Sequence, residues 1–394
     1  MRFARGKAEV RGERNAPEIR VGFLPSLPSV ALLMAESLGY FERMGLPVRL
    51  SCELGSASLR DRLVHGELDG AAADASLIFT TYHGWSGTGL RCPLVTGLML
   101  GTGGSEVVLS RRLVSGEATD AALSGSFRGR SMMIAIGQEY SVGHQTLLRW
   151  LAARGLRPGH EVRVPVLPYP QMLEALGAGH IDGFCAPAPW SQQARIAGVG
   201  LRASEHEHEC EADAEAEAEV ANDTPLEAGM ALMVTRDFAE ARQDDHVRLL
   251  SAILQASRFC AEVANRDRVI STILNSGHFA GISVSALAEA MDVQGDGLSL
   301  DAARMGCPDR KRAGGVRHRV CAIRGGPATK AGGRDLATRQ FRKDLFERAK
   351  AGATVLCATV PRAGMETPRH PPRPFPSLAW MTPAAFGVGC ASPL

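Results

Sequence analysis

Ser56, Ser105 and Ser141 carry hydroxyls that could donate hydrogen bonds to an oxyanion, and two of them open predicted helices, at Gly55 to Ser58 and at Ser141 to His144. A third helix start falls at Asp74 to Ser76. The free N–H groups of a helix N-terminus attract negative charge, so such starts can hold an anion without any dedicated motif. Each residue also has a plainer role. Turn serines bond their own backbone, His144 can cap its helix, and Trp190, following Pro189, buries a large ring at a helix start. Asp69 and Asp182 read as turn and cap groups, because a carboxylate repels an anion.

A second cluster, His206, His208 and Cys210, offers metal-ligand types at alternate positions within EHEHECEADAEAEAEVAND. No second ligand pair at fixed spacing completes a site, so the segment 204–223 is expected to be a solvated acidic loop. Neither a metal nor a cofactor is expected. Ser-His-Asp order, a Gly-rich phosphate loop ending in Gly-Lys, and a His-Glu-x-x-His helix are all missing from the sequence, which argues against an enzyme.

The elements that position these residues follow from periodicity. Leu167 to Trp190, LPYPQMLEALGAGHIDGFCAPAPW, reads as strand end, short amphipathic helix, Gly stop and buried strand, a minimal βαβ unit. Leu59 to Asp74, LRDRLVHGELDGAAAD, repeats that logic, so two lobes built alike are expected. Strands are predicted at Ile19 to Phe23, Pro47 to Cys52, Gly70 to Ala75, Cys92 to Leu100, Glu106 to Leu109, Ser131 to Ile136, Glu161 to Leu167, Ile181 to Cys185 and Met230 to Val234. Helices alternate with them, and the long region Asp244 to Asn275 is helical. The class is therefore α/β, with mostly parallel sheets.

Lobe 1 is expected over 19–115 and 230–300 and lobe 2 over 116–229, the crossing falling in the Ser- and Gly-rich stretch Ser115 to Arg128. Residues 1–18 are expected to be disordered. Past Gly297 the apolar stripe fails, and 301–394 is predicted as an irregular, poorly ordered basic extension rich in Gly and Pro, with one helix readable over Arg334 to Ala351 through Leu336, Phe341 and Phe346, or part of it as the product of a reading-frame error.

The net charge of +2 hides an asymmetry, since 301–394 holds 17 Lys and Arg against 6 Asp and Glu. That extension lacks interleaved aromatics, so no direct nucleic-acid role is expected. No run reaches the roughly 18 apolar residues of a membrane span, and the basic start lacks a signal peptide's apolar core. Nine scattered cysteines, never in a CxxC pair, suggest a reducing compartment. Together these point to the cytoplasm, with the periplasm as the alternative if the true start carries an export signal.

VGFLPSLPSVALLMAESLGYFERMGLPV, SLRDRLVHGELDGA, LLRWLAARGL and PYPQMLEALGAGHIDGFCAPAPW, in this order, resemble the solute-binding proteins of nitrate, nitrite and bicarbonate ABC transporters. The resemblance runs from about Ile19 to Asp296. It implies a two-lobed type II periplasmic-binding-protein-like fold holding a small anion in the interlobe cleft, with Ser56, Asp74, Ser105, Ser141, His144 and Trp190 as ligand contacts. Where such proteins place a tryptophan, this chain has Ser56, and where they place a polar amide it has Ser105. The family's histidine falls on Gly143, with His144 next. Its Gly-Glu-Pro-Trp becomes Pro187-Ala188-Pro189-Trp190, and its lysine has no counterpart near Pro225-Leu226-Glu227. The implied partner is an ABC permease or, for the family's cytoplasmic nitrate sensors, an RNA-binding antiterminator. A sulfonate ligand, and an enzyme related to thiamine-pyrimidine synthesis, are the alternatives.

Overall fold

The computed structural model describes residues 17–85, 89–101, 104–114, 131–203, 229–292, 306–325 and 339–359. The acidic stretch with His206, His208 and Cys210 and the N-terminal residues 1–16 lie outside these, as does the expected crossing at Ser115 to Arg128. No helix among the described residues is long and apolar enough to cross a membrane.

Among the described residues ten strands make two five-stranded sheets. The first contains β1 (Ile19–Phe23), β2 (Val48–Cys52), β3 (Gly70–Asp74), β4 (Leu94–Gly101) and β10 (Met230–Thr235), in the order β2-β1-β3-β10-β4. The second contains β5 (Ser105–Ser110), β6 (Met132–Ile136), β7 (Val162–Arg163), β8 (Gly183–Pro187) and β9 (Gly200–Arg202), in the order β7-β6-β8-β5-β9. The chain thus leaves the first sheet after β4 and returns at β10. Because β5 already belongs to the second sheet, the crossing precedes Ser105 instead of falling at Ser115 to Arg128.

The sheets are mixed, which corrects the expectation of mostly parallel ones. β10 runs antiparallel to β3 and β4, and β5 antiparallel to β8 and β9. The cause lies in the connectivity. β3 and β8 end where the lobes meet, at Asp74 and Pro187, and these residues pair with the first residues of β10 and β5, Met230 and Ser105. A strand arriving from the other lobe must start at that end and run away from it.

The repeated unit has a structural meaning in both lobes. The Asp69 carboxylate accepts the N–H of Arg20 at 2.8 Å, at the start of β1, and Asp182 accepts that of Met133 at 2.9 Å, at the start of β6. The glycine that follows lets the visiting strand approach. A Cβ on Gly70 would stand 2.8 Å from the Met233 carbonyl oxygen, and one on Gly183 2.7 Å from that of Val108. Asp69 and Asp182 are therefore structural.

The region Asp244 to Asn275 is two helices, Gln243–Ala261 and Arg266–Asn275, separated at Glu262, whose backbone is extended. Helix Val284–Asp292 leans on the second lobe, where Arg195 pairs with Glu289 and the Ser283 N–H donates to Gln193 Oε1 at 2.8 Å.

Two segments of the basic extension are folded among the described residues; helix Arg310–Arg324 is against expectation, and helix Lys343–Thr359 overlaps the one readable over Arg334 to Ala351 but is shifted toward the C-terminus. Gly306 forms a two-bond bridge to Met99, and the Arg342 N–H donates to the Thr96 carbonyl at 2.8 Å, so the edge strand β4 is covered. Helix Arg310–Arg324 starts at Asp309, whose side chain accepts the Arg312 N–H, and stops at Gly325, φ 74°. It buries Ala313, Gly315, Val316 and Val320. Such a face of small residues produces no leucine stripe. Helix Lys343–Thr359 lies along Gln243–Ala261 with Leu345 and Ala349 buried, and Ser251 Oγ donates to the Ala349 carbonyl at 2.9 Å.

Candidate interlobe binding site

The carboxyl ends of strands from both sheets face each other across the cleft, the usual place for a ligand in open α/β sheets. Helices Ser56–Val64 and Ser76–His83 start there on the first lobe, and Val142–Ala152 on the second. Short polar side chains line the meeting point because they stand at strand ends, in the turns that follow and at helix starts, where a tight backbone favours Ser, Asp and Gln over bulky residues.

Three of the six expected site residues, Ser56, Asp74 and Trp190, make bonds between the lobes, and Ser141 lies in the second-lobe turn that the first two of them reach. Ser56 Oγ donates to the Gly137 carbonyl at 2.8 Å, and Gln138 Nε2 donates to Ser76 Oγ at 3.0 Å. The Asp74 carboxylate accepts the Ser76 N–H at 2.9 Å on one oxygen and the Val142 N–H at 2.9 Å on the other. Ser141 Oγ donates to the Gln138 carbonyl at 2.7 Å and accepts the His144 N–H at 3.1 Å, acting as the N-cap of its helix. Trp190 is fully buried, and its Nε1 donates across the cleft to the Pro25 carbonyl at 2.7 Å. The Tyr169 ring stacks beside it, centroids 6.3 Å apart. Burial first, then the nearby Asp74 carboxylate, pushes the Tyr169 phenol well above its ordinary range. Ser105, at the start of β5, packs against Gly143, where a Cβ would come within 3.1 Å of Ser105 Oγ.

His144 serves its own turn. Its Nδ1 accepts the Tyr140 N–H at 3.1 Å, and burial lowers its pKa to about 4, so the imidazole is neutral near pH 7. Tyr140 itself stands in the left-handed region, φ 62°, an uncommon place for a bulky side chain.

Sequence reasoning named Ser76 only within a helix start and missed three contributors. Gln138 follows the end of β6 and Tyr169 opens helix Tyr169–Ala178, and both could have been found by asking what flanks each element. Arg319 carries no such signal. It comes from helix Arg310–Arg324, is 4% exposed, donates from Nη2 to Asp74 Oδ1 at 3.1 Å, and donates from Nε to the Tyr140 carbonyl at 3.3 Å. Among the described residues no group of three or more His, Cys, Asp or Glu could hold a metal.

The chain resembles several transport proteins. It is 27% identical over 280 residues to the bicarbonate transport ATP-binding protein CmpC of Synechocystis sp., which covers 68% of this chain and 38% of that one. It is 22% identical over 278 residues to the nitrate/nitrite binding protein NrtA of Nostoc sp., covering 67% and 60%. The chain therefore spans well under half the length of the ATP-binding relative. The crystal structure of the periplasmic nitrate-binding protein NrtA from Synechocystis superposes with a TM-score of 0.70 at 18% identity, covering 88% of this chain and 91% of that one. The alkanesulfonate-binding protein SsuA of Xanthomonas axonopodis, bound to MOPS, gives 0.59 at 15% identity, covering 85% and 98%. At these identities the superpositions establish the fold, a two-lobed periplasmic-binding-protein architecture. The NMT1-like family model matches residues 12–274, two thirds of the sequence, and the chain belongs to the NMT1-like family.

Proposed function

We propose that this chain is a non-catalytic binding protein that takes a small oxyanion of the nitrate class between its lobes and works with an ABC permease. The observation that carries the reading is the convergence of three helix N-termini and the side chains of Ser56, Ser76, Gln138 and Ser141 on one interlobe seam. Donors in that arrangement suit a small ligand of several acceptor oxygens. Relatives named for nitrate, nitrite and bicarbonate support the ligand class, and relatives named as import and transport proteins support the permease. The periplasmic neighbour favours export over a cytoplasmic location, and an antiterminator partner has no observation behind it. Ser56, Asp74, Ser105, Ser141, His144 and Trp190 divide under this reading. Ser56 and Ser141 are donors, Trp190 and Ser105 shape the wall, His144 holds the turn, and Asp74 is treated below.

The test is a thermal melt of the full chain with nitrate, nitrite, bicarbonate, sulfate and an alkanesulfonate at matched ionic strength. Native-state binding raises stability by about 2.7 kcal/mol at a ligand concentration of 100 Kd. A selective rise with nitrate or nitrite supports the proposal. A rise with the sulfonate alone moves the ligand class, and no rise in a folded sample rejects the oxyanion.

A further inference from the structure

An anion site with a carboxylate in it is a contradiction that the geometry resolves. Asp74 projects from the end of β3 in the first lobe and takes the Val142 N–H of the second-lobe helix Val142–Ala152 at 2.9 Å. A carboxylate at that helix start is the chain's own anion, held where a ligand's oxygen would be favoured for the same reason. Arg319 neutralises it from the other side, and both side chains are under a tenth exposed.

The arginine is carried by the first lobe. Ala313 and Val316 of its helix are buried in one cluster with Leu77 and Ile78, and Gly306 is bonded to Met99. From there Arg319 reaches the Tyr140 carbonyl in the second lobe at 3.3 Å, two residues from the N–H that Asp74 holds. One carboxylate and one guanidinium from the first lobe thus grip the 140–142 turn of the second.

We infer that Asp74 is a built-in occupant of the cleft's anion seat, with Arg319 as its counter-ion, so that the lobes are latched together without ligand and an oxyanion must displace the carboxylate to bind. The pair sets the threshold and the selectivity of the site. A ligand gains only the difference between its own bonds to Val142 N–H and Arg319 and those it takes from Asp74. A monovalent anion of carboxylate-like shape competes on equal terms, whereas a larger anion must also spread the grip.

The oxyanion part rests on the function proposed above; the latch does not, and the experiment separates them. Small-angle scattering on the full chain dialysed free of added oxyanion should give the compact radius of gyration of the closed form. Asp74→Asn and Arg319→Met should each increase it, the second keeping a long side chain in the buried slot without its charge. Circular dichroism and the melt report whether each variant folds, and either folded variant suffices to decide. A wild type already open without ligand, or folded variants as compact as wild type, overturns the latch.

Calorimetric titration with nitrate, nitrite and bicarbonate then tests the occupancy. Asp74→Asn offers Val142 a weaker neutral acceptor and leaves the guanidinium unneutralised, so oxyanion affinity should rise about tenfold, while Arg319→Met lowers it by a similar factor. Weaker binding by a folded Asp74→Asn overturns displacement. If no variant binds any of the three anions while the scattering still shows opening, the oxyanion reading fails and the latch stands.

Discussion

On one edge of the cleft Trp190 donates to the Pro25 carbonyl beneath a stacked Tyr169, and the Leu27 N–H donates back across the gap to the Ala188 carbonyl at 3.1 Å. On the other edge the lobes meet through Asp74, Arg319 and the 140–142 turn. The first edge is neutral and apolar around its two bonds, and burial rewards it in any state that keeps the ring covered. The second is a charged pair whose desolvation is offset only while both partners are present. A binding protein that opens and closes needs one edge that holds and one that yields to a ligand. The chemistry of the two edges assigns those roles.

The largest effect should come from breaking the apolar edge. Trp190→Ala removes a fully buried ring and leaves the Pro25 carbonyl without its donor, so unfolding in denaturant should show a loss of about 3–5 kcal/mol. A loss below about 1 kcal/mol would mean that the ring is not part of the permanent contact. Arg319→Met should cost somewhat less, about 3 kcal/mol, because it strands a buried carboxylate that still keeps two N–H donors. Measured at several salt concentrations, the Trp190 loss should stay constant, and the Arg319 loss should vary little because the pair is shielded from solvent.

What was legible in advance follows the same division. The apolar edge shows in the sequence, since Pro189-Trp190 closes a buried strand after a minimal βαβ unit, and both copies of the Asp-Gly repeat sit where a capping carboxylate and a close strand approach require them. Ser56 and Ser141 were legible because helix starts have characteristic residues. The charged edge was not. Arg319 is 245 residues from Asp74, on a helix whose buried face is Ala, Gly and Val, and no periodicity announces such a face. The antiparallel strands were missed for a related reason, as direction within a sheet depends on which lobe the chain arrives from.

Acid should loosen the charged edge selectively. The His144 pKa is lowered to about 4 by burial, and its neutral Nδ1 accepts the Tyr140 N–H. With an unfolded value near 6.5, the unfolded chain binds the extra proton first. The stability His144 provides is therefore complete above about pH 6.5 and lost as pH falls toward 4. By pH 5 the loss should be on the order of 2 kcal/mol. His144→Gln, melted from pH 7 to pH 5, should show a shallower decline than wild type. An unchanged slope would assign the acid sensitivity elsewhere, with His246 the next candidate, since burial also lowers its pKa to about 4 and neither ring nitrogen has a hydrogen-bond partner among the described residues.

The smallest effect sharpens the comparison most, because it touches the turn that the charged edge grips without touching a charge. Ser141 Oγ accepts the His144 N–H and donates to the Gln138 carbonyl, so Ser141→Ala removes an N-cap and should cost about 1 kcal/mol. Gln138 also bonds Ser76 across the cleft. If the 137–142 turn acts as one unit, the loss in a Ser141→Ala, Arg319→Met double variant should fall short of the two single losses added, by 0.5 kcal/mol or more. Ser141→Ala combined with Trp190→Ala should come nearer to additive, since Trp190 meets that turn only through the Tyr169 ring packed over Gly137. Equal coupling to both edges would mean that the cleft closes as a single rigid seam, and that the division into a holding edge and a yielding edge is wrong.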